Sequence, residues 1–116
     1  MENSVIIQKL KPLIPSTLKK AEMYYSILSV VNNLKLTPRQ VQLIAFTAIK
    51  GNISYKSIRE EFCSLYDSSS ATVYNILSEL KDTNIFIKEN NKIKVNPLIT
   101  LPFDKDISLD IKLTNG

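Results

Sequence analysis

The stretch that decides the fold is "SSSATVYNILSELKDTNIFIKENNKIKV", Ser68–Val95. Its first half reads as a helix. Ser69 is a good N-cap, and Val73, Ile76, Leu77 and Leu80 recur at three- and four-residue steps along one inner ridge, which predicts a helix over about 70–82. The second half changes period. Ile85, Ile87, Ile93 and Val95 alternate with polar residues, Phe86 excepted, on either side of Asn90-Asn91. That pair suits a two-residue turn, so the pattern predicts a β-hairpin with one buried face. Between the two halves, Asn84 tolerates the left-handed conformation that ends the helix.

Three more helices are expected upstream. Ser54 is positioned to cap a helix of about 55–66, with Ile58, Phe62 and Leu65 turned inward and Ile53 before it as a short strand residue. "TPRQ" is a strong helix start: Thr37 as N-cap, Pro38 at the first helical position and Gln40 completing a capping box. The helix that follows is apolar around most of its circumference (Val41, Leu43, Ile44, Ala45, Phe46, Ala48, Ile49), which predicts a central position, and Gly51 stops it. Before it, Ser16 or Thr17 caps a helix running to about Leu34, with Leu18, Ala21, Tyr25, Leu28, Val31 and Leu34 as its apolar stripe. The ends are less regular. "SVIIQKL" reads as a possible strand within residues 1–15, and "DISLDIKL" alternates Ile107, Leu109, Ile111 and Leu113 like a strand in need of a buried face. It would pair with the N-terminal segment or add to a partner's sheet. The expected division is an N-terminal segment 1–15, a domain 16–99 and a tail 100–116.

This order predicts a mainly α fold with a small β-hairpin wing. From Ser54 to Val95, roughly a third of the chain, it resembles the winged helix–turn–helix family: Ile58 and Phe62 sit where the first helix of that motif packs, "SSSATVYNILSEL" looks like the recognition helix, and "KDTNIFIKENNKIKV" looks like its end and the wing. Where the family usually has Gly at the turn, this chain has Asn84, which also accepts a positive φ. The resemblance implies non-covalent recognition of double-stranded DNA, with the N-terminal part of that helix at base edges in the major groove and the wing on the backbone. Its implied contacts are Ser69, Ser70, Thr72, Tyr74, Asn75 and Ser78 on the helix, Lys81 at its end, and Lys88, Lys92 and Lys94 on the wing. Asn75 would bond adenine through two hydrogen bonds, while Tyr74, the hydroxyls and the lysines would meet phosphates. Dimerisation on a two-fold site, through the first helix or the terminal strands, is the usual corollary.

Composition narrows the alternatives. The 116-residue chain suits one domain, with 44% hydrophobic and 22% charged residues, and no apolar run approaches a membrane span. "MENSVIIQKLKPLI" does not read as a signal peptide, and the single Cys63 fits a reducing compartment, so a cytoplasmic protein is expected. The absence of His excludes His-based acid–base and metal chemistry, and two glycines leave no phosphate-cradling loop. We therefore expect no enzyme and no cofactor. The richness in Ile, Lys and Asn, residues with AT-rich codons, suggests a low-GC bacterium or its phage.

Charge opposes the DNA reading. Residues 52–83 hold three basic and five acidic side chains, the recognition-helix stretch has no Arg or Lys, and family members often carry Arg where this chain has Ser70 and Asn75. Affinity would then rest on the wing, Lys81, and Lys19, Lys20, Lys35, Arg39 and Lys50 of the first two helices. The rival reading is a winged-helix adaptor in a large assembly, such as a virion or a replication or transcription complex. The two divide on whether the lysines share a face with Asn75.

Overall fold

A computed structural model describes residues 16–105 of the chain. The strands expected within 1–15 and at 107–113 lie outside the described residues. Helix α1 spans Ser16–Val31, α2 Pro38–Lys50, α3 Lys56–Tyr66 and α4 Ser70–Glu79. The hairpin follows as β1, Phe86–Glu89, and β2, Lys92–Val95, and a 3-10 turn over Pro97–Ile99 leads out of it. The fold is mainly α with a small β-hairpin wing.

Helix α2 forms as its sequence dictates. The Thr37 hydroxyl accepts from the Gln40 amide at 3.2 Å, and the Gln40 side-chain oxygen accepts from the Thr37 amide at 2.9 Å, closing the capping box. Gly51 ends the helix at φ 96°, and its amide donates to the Thr47 carbonyl. Val41, Leu43, Ile44, Ala45 and Phe46 are all buried, so α2 is the central element, although Ile49 at its far end is exposed and Thr47 takes the buried position.

Helix α1 stops short of its expected end. Asn32 donates its side-chain amide to the Leu28 carbonyl, Asn33 turns to φ 53°, and the Ser29 hydroxyl accepts from the Leu36 amide at 2.9 Å. Only Leu18, Ala21 and Tyr25 of the expected stripe are fully buried; Leu28 is half-buried, and Val31 and Leu34 are exposed. The reason is angular. At about 100° per residue, eleven residues return to the same side, so the seam continues from Leu18 to Ser29 while Val31 has rotated away.

Ser54 does not cap α3. The residue at the cap is Tyr55, with no side-chain bond, and the Ser54 hydroxyl instead accepts from the Ile93 amide at 2.7 Å. The Ile53 amide donates to the Ile93 carbonyl at 2.9 Å, so buried Ile53 edges β2 much as a third strand would. Ser54→Ala is expected to cost about 1–2 kcal/mol by leaving the Ile93 amide without its partner. Hydrogen exchange at the Ile93 amide should accelerate; acceleration at the first amides of α3 instead would restore a capping role.

The hairpin corrects a second expectation. Asn90 and Asn91 form the turn at φ 53° and 63°, both left-handed as a type I′ turn requires. The register, however, sets Phe86 opposite Val95 and Ile87 opposite Lys94. Phe86 and Val95 share the buried face, and Ile87 lies half-buried on the other. Pairing decides which side each residue takes, and a one-residue offset exchanges the faces. Helix α4 also ends earlier than expected, at Glu79, with Leu80 closing it and Asn84 at φ 65° turning the chain into β1.

The core gathers around α2. Phe62 of α3 packs edge-on to Phe46 at 5.4 Å and against Tyr66 at 4.9 Å. The Tyr66 hydroxyl donates to Glu22 of α1. Burial first, and then the Glu22 carboxylate, push this phenol well above its ordinary range, so it remains a donor at neutral pH. The Tyr25 hydroxyl donates to the Ile99 carbonyl at 2.6 Å, and Phe103 is buried beside Tyr24 and Tyr25.

Candidate nucleic-acid interface

Helix α4 begins as its cap residue requires: the Ser69 hydroxyl accepts from the Thr72 amide at 3.2 Å and lies 3.0 Å from the Thr72 hydroxyl. Val73, Ile76 and Leu80 are buried, which turns Ser70, Tyr74, Asn75 and Ser78 outward; these four and Ser69 are exposed. Thr72 is half-buried and engaged with Ser69. Glu79, the only charged residue of α4, accepts from the Gln40 side-chain amide at 3.2 Å, beside the cap of α2.

Sequence reasoning named Lys92 but passed over Arg59, which the structure sets against α4. The Arg59 guanidinium of α3 stands 5.4 Å from the Tyr74 ring centroid, and its nitrogen also donates to the carbonyls of Ser54 and Ile53. The wing's Lys92 ammonium lies 5.3 Å from the ring of Tyr55, the residue before α3. Tyr55 and Arg59 are four residues apart, hence neighbours on one side of the first turn. A line of alternating cation and ring therefore runs Lys92, Tyr55, Arg59, Tyr74, from the wing to α4. Both rings are about half exposed, 50% for Tyr55 and 54% for Tyr74. Lys56, exposed at the first position of α3, flanks the line.

The summed charge of residues 52–83 concealed this arrangement. Of its five acids, Glu61 pairs with Lys50 of α2 and Glu79 meets Gln40, while Glu60, Asp67 and Asp82 stay exposed. The one available signal was the spacing of Tyr55, Lys56 and Arg59 within a single helical turn.

The remaining candidates are dispersed. Lys88 is exposed on β1, and Lys81 is exposed just past α4. Lys94 is half-buried and holds Glu89 at 2.8 Å, so it is engaged within the wing. Of the basic residues in the first two helices, Arg39 donates to the Tyr66 carbonyl at 2.7 Å and to Gln42, and Lys50 pairs with Glu61. Lys19 and Lys35 are exposed.

Among the described residues there is no group of three or more side chains suited to a metal ion, and no helix long and apolar enough to cross a membrane. Comparison with protein-family models, curated proteins and solved structures returns no match to the chain.

Proposed function

We propose that this chain is a winged-helix DNA-binding protein that acts in transcription regulation, in the cytoplasm, by non-covalent recognition. The observation that carries this reading is the line of Lys92, Tyr55, Arg59 and Tyr74, which joins the wing to the exposed polar side of α4. A helix can enter the major groove while basic side chains on either side hold the flanking phosphates. In this arrangement Asn75 reads adenine, Ser70, Tyr74 and Ser78 supply polar contacts, and Lys56, Arg59, Lys88 and Lys92 meet the backbone. Affinity then comes from α3 and the wing, so α4 needs no cation of its own. Lys94 takes no part, since its ammonium is already paired with the Glu89 carboxylate.

The test is binding to random-sequence duplex DNA, followed by fluorescence anisotropy as salt is raised. About four phosphate contacts predict a log–log slope of about −3 to −4. Absence of binding at micromolar protein in low salt would overturn the reading. A second reading, an adaptor that docks other proteins, is favoured by one observation, the exposed apolar side chains Met23, Val30, Val31 and Leu34 on and just after α1.

A further inference from the structure

One face of the wing carries two lysines and one acid. Antiparallel pairing sets Glu89 opposite Lys92 and Ile87 opposite Lys94. Alternate residues of a strand share a face, so Ile87, Glu89, Lys92 and Lys94 lie together, on the side away from buried Phe86 and Val95. The two lysines are used differently. The Lys92 ammonium lies 5.3 Å from the Tyr55 ring, at the start of the line that leads to Arg59 and Tyr74. The Lys94 ammonium reaches diagonally across the hairpin to the Glu89 carboxylate at 2.8 Å.

Stability gives this pair little reason to exist. Both side chains reach solvent, 30% for Lys94 and 53% for Glu89, and exposed ion pairs contribute little to a fold. The hairpin is already held by its Asn90-Asn91 turn and by the bonds that Ile53 and Ser54 make to Ile93. The pair weighs more on what the wing can bind. A carboxylate and a phosphate ask the same of an ammonium, a short charge-assisted hydrogen bond. Glu89 is tethered beside Lys94, so it competes at high effective concentration with any phosphate from solution. It also stands across from Lys92, where its charge opposes the approach of a phosphate to that lysine.

We propose that Glu89 is an autoinhibitory acid, a built-in stand-in for phosphate that occupies Lys94 and withholds one backbone contact from the wing. The proposal rests on the DNA-binding reading above. It places a latent phosphate site at Lys94, two residues from Lys92 on the same face, which opens when the carboxylate charge is removed.

Glu89→Gln keeps the size of the side chain and removes its charge. Binding of the full chain to random-sequence duplex DNA is followed by fluorescence anisotropy across a salt series. The variant is expected to bind about five- to tenfold more tightly than the parent near 0.1 M salt, with a log–log slope steeper by about one. Adding Lys94→Ala is expected to abolish that gain. Far-UV circular dichroism and the melting temperature should stay close to those of the parent. Glu89→Thr, a residue suited to strands, repeats the test with another neutral side chain. Unchanged affinity and slope in both variants, with the parent binding DNA, would overturn the proposal and leave the DNA reading standing. A gain that persists in full alongside Lys94→Ala would also overturn it, since the acid would then act only through net charge. No binding by parent or variants would overturn the DNA reading, and the proposal with it.

Discussion

Phe62→Ala is expected to remove about 3–5 kcal/mol of stability. Its ring is fully buried, 5.4 Å from Phe46 of α2 and 4.9 Å from Tyr66 of α3, and Tyr66 in turn holds Glu22 of α1. Truncation would open a cavity where three helices meet, and rigid neighbours cannot collapse into it. Small domains have about 5–15 kcal/mol in total, so the variant should lose a large share of its margin. The check is urea unfolding followed by circular dichroism, with a much lower midpoint at unchanged slope. Phe62→Leu keeps most of the volume and should cost clearly less, about 1–1.5 kcal/mol. A near-normal midpoint for the alanine variant would mean that this ring does not join the helices.

Lys56→Ala combined with Lys92→Ala is expected to weaken duplex DNA binding by roughly a hundredfold near 0.1 M salt, since each released phosphate contact contributes roughly tenfold there. The salt slope should fall by about two, and the loss should be nearly equal on all sequences. Both side chains are exposed, so the melting temperature should hardly move. Asn75→Ala offers the contrast: about 1–3 kcal/mol, concentrated on sites with adenine at one position. Lys94→Ala should change binding less than Lys92→Ala, because the Lys94 ammonium already sits on Glu89 at 2.8 Å. Equal effects from Lys92 and Lys94 would contradict the assignment. Losses confined to one sequence in the double variant would show that these lysines do not act on phosphates.

Local physics made much of the fold legible. Thr37, Pro38 and Gln40 announce the start of α2, because a cap, a preset φ and a reciprocal side chain act within four residues. Gly51, Asn84, Asn90 and Asn91 all take positive φ, as their side chains permit. The outward position of Ser70, Tyr74, Asn75 and Ser78 follows from the apolar ridge that anchors α4. These features depend on neighbours a few residues away, which a linear pattern records.

The rest depends on contacts between distant residues. Ser54 has the chemistry of a helix cap, yet it holds the Ile93 amide 39 residues away, because folding brings β2 closer than the amides of α3. Phe86 enters the core in place of Ile87 because the partner across from Val95 sets the face, and alternation by itself cannot choose between two offsets of one residue. Arg59 and Tyr55 join the candidate interface through Tyr74 and Lys92, which are far from them along the chain. Net charge per segment is a sum that discards direction. The sequence alone determined the helices, the turns and the outward residues of α4; the tertiary packing decided which charges meet and which are spent on each other, because the strength of a charge pair depends on its separation and surroundings while residue order carries no distance.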